Sequence, residues 1–137
     1  MIKNILDYNI SSHIKLAEIV CHCGCGFGSY TNDFSIETAT AFEKIRTEIA
    51  KVIGREIPLI ITSACRCKFW NDEIGGSADS RHIHGDALDI RCPKELDYDT
   101  FFDICDRIIG RNGGVGYYEK SNFMHIDTRG QHVRWMA

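Results

Sequence analysis

Apolar residues recur at Ile36, Ala39, Phe42, Ile45, Ile49 and Val52, three or four places apart. That spacing predicts an amphipathic helix from Ser35 to Ile53, and Gly54 stands where a left-handed residue commonly ends one. A second helix is predicted over Tyr98 to Ile109, with Phe101, Ile104, Cys105 and Ile108 on one face and Gly110 behind it. Ile57 to Thr62 is an apolar, largely β-branched run after a polar turn and predicts a buried strand. Lys68 to Ile74 predicts a short helix closed by Gly75-Gly76, and Asp86 to Arg91 alternates in strand register. Val115 to Tyr118 and Phe123 to Thr128 predict two short strands around a polar turn. Residues 1–20 predict an irregular, strand-rich lead-in with Leu16 to Val20 extended, and the glycine-rich Cys21 to Ser29 predicts a loop. Long βαβ alternation is absent. The expectation is therefore an α+β fold, a mostly antiparallel sheet with flanking helices, in a single domain over 1–137.

Composition narrows the function classes. A chain of 137 residues with 44% hydrophobic and 26% charged residues is that of a soluble globular protein with a real core. The net charge of −3 argues against a nucleic-acid partner, since Arg66, Lys68, Arg129 and Arg134 are scattered among carboxylates. No apolar run approaches the roughly 20 residues that cross a bilayer, so no membrane insertion is expected. The N-terminus lacks an apolar signal-peptide core and a cleavage site, which predicts a protein made in the cytoplasm.

Two polar constellations interrupt this apolar framework. Ser80-Arg-His82-Ile-His84-Gly-Asp86-Ala-Leu-Asp89 places an imidazole and a carboxylate seven positions apart, across a glycine and into a strand. Zinc accepts both ligand types. By spacing alone, a surface histidine and a capping or salt-bridged aspartate is the commoner arrangement. His125-Ile-Asp127 puts a second such pair on one face of a short strand. A hydrogen-bonded buried histidine is the usual outcome there, but the chain supplies two such pairs with complementary ligand types. Three ligands with an open fourth position is the catalytic pattern, whereas four closed ligands is structural.

The motif Ser-x-His-x-x-Gly-x-Ala-x-Asp at 80–89 resembles the metal motif of the zinc D-Ala-D-Ala carboxypeptidase-like peptidases. That group includes the vancomycin-resistance dipeptidases and many phage endolysins, with the hedgehog signalling domain as a relative. Ile-Thr-Ser-Ala-Cys-Arg at 61–66, Asn71 and Gly75-Gly76 are similar to a further family segment. Gly113-Gly-Val-Gly-Tyr-Tyr118 leading to Phe123-Met-His125-Ile-Asp127 is similar to its closing motif. Leu16-Ala-Glu18 with Cys21-His-Cys-Gly-Cys-Gly26 resembles the opening of short phage and prophage members. The resemblance covers about residues 13 to 135.

It implies a hedgehog-like or D-Ala-D-Ala peptidase-like fold and one catalytic zinc ion held by His82, Asp89 and His125. It also implies a metallopeptidase that acts on peptidoglycan stem peptides, as a carboxypeptidase or an endopeptidase. Arg66 matches the arginine that holds the substrate and its reacting carbonyl, while Ser80 orients the metal loop and His84 is a further substrate-side candidate. Several relatives carry the proton-shuttling carboxylate three residues before the last ligand, where this chain has Asn122. Asp127, in a His-x-Asp motif, and Glu119, six before His125, are the alternatives. If neither reaches the water, the chain is expected to be a weak enzyme or a non-catalytic zinc-containing binding module of the same fold. The expected state is a monomer, released to the wall as a phage or prophage product.

The seven cysteines pose a separate question. Cys105 reads as plain core. Cys21, Cys23 and Cys25, with Cys65 and Cys67 some forty residues on, allow a second, structural metal ion, an inter-loop disulfide or free thiols. The ion is the weaker reading, and a redox protein working through Cys21–Cys25 is the remaining rival. No Cys-x-x-Cys is present to support thioredoxin-like chemistry.

Overall fold

The computed structural model describes residues 5–30 and 32–137; residues 1–4, the start of the segment read above for a leader, and residue 31 lie outside the described residues. Strand β1 (Asn9–Ser11) pairs antiparallel with β2 (Ile14–Lys15). The expected extended stretch at Leu16 to Val20 is instead a helical turn, α1 (Leu16–Ile19). Its apolar residues Leu16 and Ile19 are three apart and both buried, and the Glu18 carboxylate accepts the Lys15 N–H at 2.9 Å. Local capping and a helical spacing therefore outweigh β propensity there.

Helix α2 (Ile36–Ile53) forms as its spacing predicts. The Ser35 hydroxyl caps it by accepting the Thr38 N–H at 3.2 Å, and Gly54 ends it in the left-handed region at φ 89°. The 57–62 run gives a shorter strand, β3 (Ile61–Ser63), although Ile57 and Leu59 are buried as expected. Next come α3 (Lys68–Glu73), β4 (Ala87–Arg91), α4 (Tyr98–Ile109), β5 (Gly114–Tyr118) and β6 (Phe123–Asp127). A last strand, β7 (Val133–Met136), has no counterpart in the predicted elements.

The main sheet has five strands in the order β3-β4-β6-β5-β7, antiparallel throughout except for the parallel pair β5–β7. The α+β expectation holds. Period-2 alternation divides the central strands between two tasks. Leu88, Ile90, Met124 and Ile126 join Phe42, Ile45 and Ile49 of α2 and Phe101 and Ile104 of α4 in one apolar core. Ala87, Asp89, His125 and Asp127 take the opposite face, in the register Ala87↔Asp127 and Asp89↔His125. Fixing the apolar residues on the core side therefore fixes the polar ones on the other, because a one-residue slip would bury the carboxylates under the helices.

Strand β7 is tied down by Arg134. Its guanidinium donates to the Gly110 and Gly113 carbonyls at 2.7 and 2.8 Å and to the Asp106 carboxylate at 2.6 Å. It thus donates to carbonyls that follow the end of α4 and joins them to β7.

Candidate metal centre

His82 sits in a short 3-10 turn, Arg81–His84, that Ser80 opens by accepting the His82 N–H at 3.3 Å. Asp89 and His125 face each other from the adjacent central strands. His82 Nε2 and His125 Nδ1 each lie 3.1 Å from Asp89 Oδ1, and all three residues are buried.

The other nitrogen of each ring decides what these atoms offer. His82 Nδ1 is 2.7 Å from the Ala64 carbonyl, which can only accept, so that nitrogen carries the proton and Nε2 presents a lone pair. His125 Nε2 is 2.7 Å from Asp127 Oδ2. Burial works against ionising Asp127, but bonds from Arg129 and His125 overcome it and hold its carboxyl well below the usual range. His125 Nε2 therefore donates, and Nδ1 is the free acceptor. In these tautomers three acceptor sites converge with no hydrogen of their own between them, an arrangement that suits a bound cation. Zinc ligands at about 2.0–2.1 Å from a shared tetrahedral ion stand about 3.3–3.4 Å apart. Two nitrogens 3.1 Å from one carboxylate oxygen fit such an ion closely. The residues suit zinc in donor type, spacing and outer hydrogen bonds.

Electrostatics agree. Desolvation disfavours the Asp89 carboxylate, yet His82 and His125 beside it bring its pKa far below the ordinary value. Burial likewise lowers the His125 pKa, but the Asp127 and Asp89 carboxylates outweigh it and the net shift is upward. The pocket already holds the charge pattern that favours a positive ion.

The centre opens into a groove of about 700 Å³. Arg66 forms one wall. Its Nη1 donates to Asn71 Oδ1 at 2.9 Å and its Nη2 to Ser63 Oγ at 3.1 Å, with Nη2 3.9 Å from Asp89 Oδ2. Its buried Nε has no hydrogen-bond partner among the described residues. Burial lowers the Arg66 pKa, partly offset by Asp89. Trp135 of β7 forms the opposite wall, its ring 5.0 Å from that of His125 and its Nε1 donating to the Tyr118 hydroxyl at 2.9 Å.

Of the residues singled out from sequence, His82, Asp89, His125, Arg66 and Ser80 all line this groove. Asp127 shares the face of His125 but lies fully buried behind it. Its oxygens accept from His125, from Arg129 at 2.9 and 2.7 Å, and from the Gly114 N–H at 2.9 Å. A Cβ at Gly114 would stand 2.6 Å from Asp127 Oδ2, so a side chain there would displace the carboxylate. Glu119 is exposed on the 3-10 turn Glu119–Ser121, outside the groove lining. Asn122, in the left-handed region at φ 59°, closes that turn. His84 is exposed and 3.7 Å from Asp79, and it too lies outside the lining. Sequence reasoning assigned no site role to Tyr118 or Trp135, which meet at the groove because β7 brings the Trp135 indole to the Tyr118 hydroxyl.

The cysteines gather elsewhere. Cys21, Cys23, Cys25 and Cys67 bring their sulfurs within 4.8 Å of one another, and all seven cysteines are free. Cys65 does not join them, which corrects the five-residue set drawn from spacing. It is buried with its sulfur 3.8 Å from the Asp33 carbonyl, and burial pushes its thiol up to about 12.

No helix among the described residues is long and apolar enough to cross a membrane. No curated protein matches the chain. The family model described as Peptidase M15 matches residues 12–127, which takes in every groove residue named above except Arg129 and Trp135, and the metal motif, the arginine segment and the closing His-x-Asp all fall inside that match. The chain belongs to the M15 peptidases, the zinc D-Ala-D-Ala carboxypeptidase-like family.

Proposed function

We propose that the protein hydrolyses an amide bond in peptidoglycan stem peptides, with His82, Asp89 and His125 holding one catalytic zinc ion. The observation that carries this reading is the convergence of ligand atoms from His82, Asp89 and His125 in an open groove. Zinc, when bound, polarises the scissile carbonyl and lowers the pKa of a water towards about 7.

The chain's own groups do the rest. Arg66 has five N–H donors, of which Asn71 and Ser63 take two, and its face on the groove receives a carbonyl or carboxylate oxygen of the substrate. Tyr118 accepts from Trp135 Nε1, which leaves its own O–H to donate to a substrate oxygen. The Trp135 ring excludes water from one side of the ligands. Ser80 sets the turn that carries His82. Asp127, fully buried and bonded on both oxygens, acts as a positioning residue that fixes the His125 ring. Glu119 receives no proton-transfer role in this reading, because it stands outside the groove lining. The bond cut is either the terminal D-Ala–D-Ala link or an internal one, and release of free D-Ala separates the two.

The experiment is zinc content together with hydrolysis of purified peptidoglycan, for the wild type and His82→Ala. Bound zinc and new peptide termini in the wild type, with neither at this site in the variant, support the reading. Zinc bound without any cleavage of wall or stem peptide moves the protein to a binding module of the same fold.

A further inference from the structure

The four gathered thiols have no place in the peptidase chemistry, and they lie on different segments from the groove ligands. Cys21, Cys23 and Cys25 alternate along the chain. In an extended strand the first and last would be about 13 Å apart. Gly24 and Gly26, in the left-handed region at φ 81° and 93°, instead fold the loop into a cup, and Cys67 completes it from the start of α3. Cys23 Sγ lies 3.5 Å from Cys21 Sγ and 3.6 Å from Cys67 Sγ. A disulfide would need about 2.05 Å. Four sulfurs at about 2.3 Å from a shared tetrahedral zinc ion stand about 3.8 Å apart, so the observed spacing is that of a thiolate site.

Backbone donors point at the sulfurs as well. The Cys67 N–H reaches Cys21 Sγ at 3.4 Å, the Phe27 N–H reaches Cys25 Sγ at 3.5 Å and the Trp70 N–H reaches Cys67 Sγ at 3.4 Å. Amide hydrogens aimed at sulfur favour the thiolate over the thiol and fix its direction, as outer-sphere donors do around thiolate-bound metals. Cys65, two residues from Cys67, faces the core instead, so the chain selects one of two candidate sulfurs on that segment.

We propose that Cys21, Cys23, Cys25 and Cys67 form a second, closed zinc site with a structural role. Four sulfur ligands fill the coordination sphere of zinc, and the four thiol protons leave to solvent on binding. The ion joins the N-terminal loop to the residue that caps α3. Cys67 follows Arg66 directly, so the same clip sets the backbone from which the groove's arginine projects. The site is independent of the peptidase reading, since it shares no ligand with the groove.

The test is metal content of the whole purified chain, with cobalt substitution as a readout that needs no cysteine change. The expected result is two zinc ions per wild-type chain, one in His82→Ala, and one in the Cys23→Ser, Cys25→Ser double variant. Cobalt in both the wild type and His82→Ala should show thiolate-to-metal charge-transfer absorption in the near ultraviolet. One zinc in the wild type, unchanged by the cysteine substitutions, would overturn the proposal. So would cobalt-loaded wild type without thiolate absorption, even where the double variant fails to fold. Loss of hydrolysis alone, with two ions still bound, would count against the peptidase reading and leave this site standing.

Discussion

Asp89 and His125 face each other across the two central strands, among neighbours with no exposed surface, whereas Cys23 and Cys25 stand exposed on a loop bent by left-handed glycines at 24 and 26. In the first region the sheet sets the ligand spacing, because the apolar residues between the ligands hold the register whether or not an ion is bound. In the second, backbone turns and a few N–H···S bonds hold the spacing, so order there depends far more on the ion itself. As proposed, the two regions would divide along the usual line between catalytic and structural metals: three ligands beside a groove, two of them on the rigid sheet, and four closed around a loop.

The strongest challenge to the rigid side is His82→Ala. It removes one of three ligands without touching the strands, so hydrolysis should fall to background while the fold persists, read by circular dichroism alongside zinc content. A variant that unfolds would show that the centre holds up the sheet, and the contrast drawn here would be wrong. Asp127→Asn comes next. The amide cannot hold both Arg129 and His125 as the carboxylate does, and loss of such an outer partner typically weakens metal binding about 10- to 100-fold. The pH dependence has a definite sign. The folded Asp127 pKa is lowered, so its stabilisation is complete above the unfolded value of about 3.9 and is lost as pH falls towards the folded one. The Asp127 share of the stability gap between wild type and Asp127→Asn, measured by urea unfolding, should therefore be lost only in acid, whereas the His125 share, whose pKa the same carboxylate raises, falls away as pH rises. Arg66→Lys is milder. It keeps a charge but loses the fork to Asn71 and Ser63, and hydrogen bonds from charged donors are worth about 1.5–3 kcal/mol. We expect a roughly 10-fold fall in kcat/KM with zinc content unchanged.

The same contrast governs what could be read in the sequence. Helices α2 and α4 were legible because their apolar residues repeat every three or four places with a glycine behind, and the structure keeps those bounds. His82, Asp89 and His125 were legible because period-2 alternation puts Asp89 and His125 on one face and a recognisable motif supplies His82. Strand β7 was not. Arg134 interrupts its apolar run, and its partner β5 is parallel and distant in sequence, so nothing local marks it. No site role for Trp135 was therefore legible in the sequence. Loops were hardest. Spacing alone cannot separate Cys65 from Cys67, since one points into the core and the other caps a helix only once α3 is formed. The role of Asp127 depends on Arg129 and the close approach of Gly114, which a His-x-Asp spacing does not reveal.

Tyr118 and Glu119 bring the contrast down to two neighbouring residues. Tyr118 ends β5, and its hydroxyl is held at the groove by Trp135 Nε1, while Glu119 begins the exposed turn beyond it. Removing one neutral hydroxyl donor costs about 0.5–1.5 kcal/mol, so Tyr118→Phe should lower kcat/KM roughly 3- to 10-fold. Glu119→Gln should change it by less than about twofold, because a side chain outside the groove lining makes no transition-state contact to lose. The pair is measured best as full pH–rate profiles on one stem-peptide substrate. A Glu119→Gln profile that loses its acidic limb would show that the turn swings inward when substrate binds. The proton acceptor would then be a loop residue, and the division between a catalytic sheet and structural loops would no longer hold at this site.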